Sequence, residues 1–422
     1  MKSGKKENNK SKANKTNRAE QRFTQHENLD KIGEIPIYYG FFPHQSPEIK
    51  KVDMEQSKNL LEGDYIDEDI ESTLHLPLHV EEKVALLRMY TEGDMHTMPQ
   101  PIMFYFKEPF KNNRNNGKKN DYHRYCDLEI MGGSKSIAEA LLIQTTRAIL
   151  KEEGYNNICV EINSIGDKES INRFSRDLIN FYRKHVNDMH AECRQLLKKD
   201  PFDLLSCKNE KCKKINENAP KSMDFLSESS RNHFQEVLEY LEALDIPYHI
   251  NNNLIGNRKY CTETIFSINN TGEDKRKGQK VLAVGVRYDG LAKKIGLKKE
   301  IHGVGISLLI KNNKSDLRKE IKKVKRPFAS FVQLGFESKL LSLSIIERLR
   351  EEKIPLFLSL ARDRLGAQVS AVEKYHIPYA LIMGKKEAVE RTVIVRNNDT
   401  HAQEIVDIEN LQKHMKKLEK GV

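Results

Sequence analysis

Residues 104–133 read FYFKEPFKNNRNNGKKNDYHRYCDLEIMGG, two apolar runs around a basic, Asn-rich centre. The runs have strand character, while Asn and Gly favour turns, so the stretch predicts a strand, a loop and a returning strand. The loop holds Lys111, Arg114, Lys118, Lys119 and Arg124 against one acid, Asp121. A hairpin tip with that charge suits an anionic partner.

Outward from this hairpin, the chain of 422 residues is long enough for two or three domains. Hydrophobic residues make up 38% and charged residues 31%, so the surface must be heavily charged. Net charge is +10, and the first 22 residues supply eight Lys or Arg against two Glu. Residues 1–25 read as a disordered basic tail, either solubilising or an arm that touches nucleic acid. The tail lacks an apolar run, and no stretch of 18 apolar residues occurs, so neither a signal peptide nor a membrane span is expected. Six spread cysteines without a signal peptide suggest free thiols in a cytoplasmic protein. Cys193, Cys207 and Cys212 lack an obvious fourth partner with tidy zinc spacing, and they read as loop cysteines with no metal.

Before the hairpin, "YYGFFPHQSP" reads as a helix end, a turn and an extended segment, and "VEEKVALLRMY" as a helix. After it, "IAEALLIQTTRAILKEEGY" is an amphipathic helix with Gly154 past its end. Helices follow over "SINRFSRDLINFYRKH" and "NHFQEVLEYLEAL". "IPYHINNNL", "CTETIFSI", "KVLAVGVRYDG" and "HGVGISLLI" have the alternating or apolar pattern of an antiparallel sheet. Residues 313–326 are polar and basic and read as a linker. From 327 to 422, strands and helices alternate, which predicts a small α/β domain with a largely parallel sheet.

Several stretches, in order, resemble histidyl-tRNA synthetase, a class II aminoacyl-tRNA synthetase. They are "NSIGDKESINRFSRDLINFY", "LLSCKNEKCKKINENAPKSMDFL", "SRNHFQEVLEYLEALDIPYHINNNL", "GVRYDGLAKKIG" and "ALIMGKKEAVERTVIVRNNDTHAQEIV". The resemblance runs from about Ile35 to the C-terminus. It implies an α+β class II core, with a six-stranded antiparallel sheet flanked by helices, over 26–312. A helical insertion would span about 165–250, and a C-terminal anticodon-binding-like α/β domain would follow. It also implies a homodimer through "YYGFFPHQSP", which is similar to motif 1, and tRNA as partner. The activity implied is ATP- and Mg²⁺-dependent histidine adenylation followed by transfer to tRNA.

Catalysis of that kind depends on fixed cations that meet a polyphosphate. The hairpin is similar to motif 2, but the family's Phe-Arg-x-Glu reads Phe110-Lys111-Asn112-Asn113 here. Lys111 keeps a charge without the guanidinium fork, and Asn113 replaces the carboxylate expected on the adenine amine. Arg114 could substitute by a loop shift, and Glu129 stands where the family also has Glu. At motif 3, Leu309 and Ile310 replace Glu-Arg. In the histidine-specific segment "GNRKYC", Gly256 replaces the catalytic Arg, Tyr260 remains, and Arg258 lies two residues on. The family's Arg-Pro-Glu-x-Thr aligns with His79, Val80, Glu81 and Lys83, so Glu81 could meet an amino group while the Thr is gone.

Losing one catalytic cation costs about two to three powers of ten in rate, so these changes together imply little adenylation. An alignment shift would rescue Arg258 but not motif 3, because no Arg lies between Arg287 and Arg318. The expectation is a synthetase-like protein that binds tRNA or another structured RNA, through Lys118, Lys119 and Arg124 and through Arg362, Arg364, Gln368, Arg391 and Arg396. The alternatives are an active divergent histidine–tRNA ligase, a regulatory class II paralogue and a purely structural dimer.

Overall fold

A computed structural model describes residues 31–60, 80–106, 123–199, 201–207, 209–271, 280–311, 327–358, 365–366, 368, 372 and 375–420. The basic tail, the hairpin tip and the expected linker lie outside these residues.

The first part of the chain runs α1 (Lys31–Tyr38), β1 (Phe42–Pro43), α2 (Lys51–Ser57), α3 (Val80–Glu92), β2 (Ile102–Phe106), β3 (His123–Met131), α4 (Ile137–Glu152), β4 (Ile158–Gly166) and α5 (Lys168–Lys184). It continues through α6 (Ala191–Lys199), a 3-10 turn (Pro201–Ser206), α7 (Glu210–Asn216), α8 (Glu228–Ala243), β5 (Tyr248–Ile250), β6 (Thr262–Asn270), β7 (Lys280–Arg287), α9 (Leu291–Lys294) and β8 (Gly303–Lys311). Eight strands form one sheet in the order β1-β2-β3-β8-β7-β6-β4-β5. The six inner strands are antiparallel throughout. The short edge strands β1 and β5 pair parallel.

Alternation along β3 sorts the two faces. Cys126, Leu128 and Ile130 enter the core beneath α4 and α8, while Met131 joins the opposite core beneath α3 and α5. α4 is buried over almost its whole surface, even at Glu139, Gln144, Thr145 and Thr146. The N-termini of α5 and α8 are tied together. Asp167 caps α5 by accepting from the Ser170 amide at 2.8 Å, and it also accepts from Ser227 Oγ at 2.8 Å. Ser227 in turn caps α8 through the Ser230 amide.

The C-terminal part comprises β9 (Ala329–Gln333), α10 (Phe336–Glu351), β10 (Leu356–Leu358), β11 (Tyr379–Met383), α11 (Lys385–Glu390), β12 (Thr392–Asn397), β13 (Gln403–Asp407) and α12 (Ile408–Lys420). Its sheet runs β10-β9-β11-β12-β13. The first three strands are parallel, and the last two are added antiparallel, so the sheet is mixed rather than largely parallel. This unit packs on the large sheet's helices. Gln144 donates to the Leu343 carbonyl at 2.9 Å, Tyr39 donates to Glu347, and Tyr240 meets Phe336 with ring centroids 5.2 Å apart.

Candidate active site and RNA-facing surface

Glu129 projects from the middle of β3 and is fully buried. Opposite it on β8 stands Gly305, where any side chain would collide with the Glu129 carboxylate. Gly303 likewise leaves room for the Tyr288 ring. The two glycines therefore clear a slot, and three polar groups fill it. Lys83 Nζ from α3 donates to Glu129 Oε1, and Tyr288 Oη donates to Oε2 at 2.7 Å. The ammonium also lies 5.4 Å from the Tyr288 ring centroid. Burial works against the Lys83 charge, but Glu129 and Asp127 outweigh it and raise the lysine above its ordinary value. Burial, reinforced by Glu129, pushes the Tyr288 hydroxyl far up, so it stays a donor.

Other carboxylates crowd this slot. Burial, with Asp127 next in effect, raises Glu82 to about 9. Burial also raises Asp127 to about 6, against the pull of Lys83 and a hydrogen bond from Ser307. Glu81 has a buried Oε2 without a hydrogen-bond partner among the described residues. Mg²⁺ needs ionised, unengaged oxygen ligands. Glu129 is spent on Lys83 and Tyr288, so it is not an open ligand for Mg²⁺.

The histidine-specific segment lies beside the insertion. Arg258 lays its guanidinium over the Phe202 ring, 4.0 Å from the centroid. Tyr260 and Cys261 are buried. Gly256 has φ +65°, and a Cβ there would come within 2.8 Å of Ile265 Cδ1. That backbone favours glycine, and a longer residue would require Ile265 to shift. Leu309, Ile310 and Lys311 sit at the end of β8, in register with Tyr125, Arg124 and His123. Lys111, Asn113, Arg114, Lys118 and Lys119 lie outside the described residues, as does the side chain of Arg124.

A second buried ion pair went unread in the sequence. Arg287 at the end of β7 grips Glu139 of α4 through Nε at 2.7 Å and Nη2 at 2.5 Å. His233 reaches the same carboxylate at 2.8 Å, and Asp289 lies 3.3 Å from Arg287 Nη1. Burial would raise Glu139, yet Arg287 and His233 bring it down to about 2. Sequence offered one signal for such pairs: Lys83 and Glu139 both fall inside apolar helical stripes.

The expected RNA contacts in the C-terminal unit are dispersed. Gln368 is buried and engages both backbone groups of Gln333, accepting from its amide at 3.1 Å and donating to its carbonyl at 2.8 Å. Its side chain is thus committed to closing the end of β9, which removes it from the expected RNA surface. Arg391 is exposed and caps α11 in a left-handed conformation, φ +55°. Arg396 lies at the far end of β12 and meets His401 Nδ1 at 3.0 Å. Five strand steps separate the two arginines, roughly 16 Å, so they do not form one patch. Arg362 and Arg364 lie outside the described residues.

An antiparallel six-strand core with a mixed α/β unit behind it is the architecture of a class II aminoacyl-tRNA synthetase. Residues 333–418 match the anticodon binding domain family. The chain is 25% identical over 401 residues to a histidine–tRNA ligase of Caldanaerobacter subterraneus, covering 92% of this chain and 94% of that one. It is 29% identical over 334 residues to the enzyme of Fervidobacterium nodosum, covering 78% of each. Among solved structures, apo S. aureus histidyl-tRNA synthetase is 21% identical, with a TM-score of 0.43 over 79% of this chain and 82% of that one. Over most of its length the chain is thus similar to histidine–tRNA ligases, and residues 333–418 carry an anticodon binding domain.

Proposed function

We infer that this chain is a divergent family member that binds tRNA and adenylates histidine weakly or not at all. The observation that carries the reading is the Lys83–Glu129–Tyr288 cluster. Lys83 stands where the family has Thr in its amino-acid-binding segment, and its ammonium consumes a carboxylate on the strand after motif 2. Glu129 is thereby engaged from within and is not open to a substrate amine or imidazole. The backbone at Gly256 adds support, because its positive φ favours glycine over the arginine of the histidine-specific segment.

The division that goes with this reading is a basic tail over 1–25, a synthetase-like core over 26–312 with an insertion at about 165–250, a linker over 313–326 and an anticodon-binding-like domain from 327. A cytoplasmic setting and a homodimer complete it. α1 is already buried against the chain's own helices, so a dimer contact would use the exposed stretch around His44, Gln45 and Glu48. Light scattering of the purified protein gives the assembly state directly.

The test of function is histidine-dependent ATP–pyrophosphate exchange, with tRNA binding measured on the same preparation. Exchange at background with salt-sensitive tRNA binding is expected. Robust exchange would replace this reading with an active, divergent histidine–tRNA ligase. One feature favours that alternative: the unpartnered Glu81 Oε2 is still placed to accept from an amino group.

A further inference from the structure

The helical insertion contains a cluster that the synthetase reading does not use. Cys193 on α6, Cys207 after the 3-10 turn and Cys212 on α7 bring their sulfurs within 4.8 Å of one another. The sulfurs of Cys193 and Cys207 are 3.5 Å apart, too far for a disulfide. Zinc holds thiolates at about 2.3 Å in a tetrahedron, which sets neighbouring sulfurs about 3.8 Å apart. The 3.5 Å between Cys193 and Cys207 lies close to that value.

We propose that Cys193, Cys207 and Cys212 bind a single zinc-class cation that staples α6, the 3-10 turn and α7 together. A packing role would account for one small thiol in an apolar cluster. It gives no reason for three sulfurs, drawn from three successive elements, to converge on a point. Cys193 and Cys212 are buried, while Cys207 is partly open and gives the ion a way in. Each thiol loses its proton to solvent as the cation binds. Three thiolates on a dication leave one negative charge, and Lys211, Lys213 and Lys214 lie on the helix that carries Cys212. The fourth position falls to water, and the backbone amide of His190 donates to the Cys212 sulfur.

The test loads the full-length chain, purified under reducing conditions, with Co²⁺ and then displaces it with Zn²⁺. A thiolate-to-cobalt charge-transfer band is expected at one ion per chain, bleached by zinc. Cys207→Ser should weaken cobalt binding about tenfold or more, while Cys159→Ser, on β4, should leave it unchanged. Absence of the band in the wild-type chain overturns the proposal without recourse to any variant. Equal cobalt affinity in wild type and Cys207→Ser overturns it as well.

Discussion

At Lys83 and Glu129 two opposite charges share one buried slot, where Glu129 and Asp127 outweigh the burial that opposes the Lys83 charge. Removing one partner of such a pair costs about 3–5 kcal/mol, because the survivor stays buried and uncompensated. Lys83→Met should show that loss in urea unfolding, and Lys83→Met with Glu129→Leu should recover most of it. Glu139 gives a second residue-scale prediction with a definite sign. Its folded value is depressed to about 2 from an ordinary 4.5, so its contribution is present above pH 4.5 and is lost as pH falls towards 2. The loss amounts to about 3 kcal/mol. Glu139→Gln should flatten that acid limb in a series of unfolding midpoints against pH. Neither pair was legible in the sequence. Lys83 and Glu129 are 46 positions apart, and Glu139 and Arg287 are 148 apart. A charge in an apolar stripe announces that it must be paired, but not with what.

At the scale of elements, the strands of the large sheet were readable because alternation persists over eight or nine residues. β1, with two residues, is too short to show a period, and pairing at the sheet edge alone makes it a strand, whereas β5 falls within the expected strand "IPYHINNNL" but pairs parallel. β13 was missed as a separate strand because its outward face is exposed and it pairs only with β12. The glycines of β8 were visible as letters, but their purpose rests on the register that sets Gly305 against Glu129. Gly305→Ala should therefore destabilise by about 1–3 kcal/mol through overpacking. Gly290→Ala, where a Cβ meets nothing within 4 Å at a negative φ, should be neutral or stabilise slightly. Thermal unfolding of the two variants side by side checks the contrast.

For the whole molecule, one continuous apolar core runs from beneath the large sheet through α4 and α8 into α10 and the small sheet. The two sheets should therefore unfold together. Phe336→Ala removes the ring that meets Tyr240, and it should cost about 2 kcal/mol and split the calorimetric transition into two. The excess of basic residues sets the other global expectation. Binding of tRNA should weaken steeply with salt, and Lys118→Ala with Lys119→Ala should lower the slope of log affinity against log salt by about 1–2. The hairpin was recognisable as a charged loop between strands, and its site residues could be named by resemblance, whereas the filling of the slot behind it depends on α3, which lies on the other side of β2 in the chain. That filling has a consequence for inhibition. On the proposed reading, Lys83 acts as a tethered occupant of Glu129, held at an effective concentration above the millimolar range typical of short flexible tethers. Compounds that mimic histidine should then bind this protein far more weakly than an open synthetase pocket, which calorimetric titration checks.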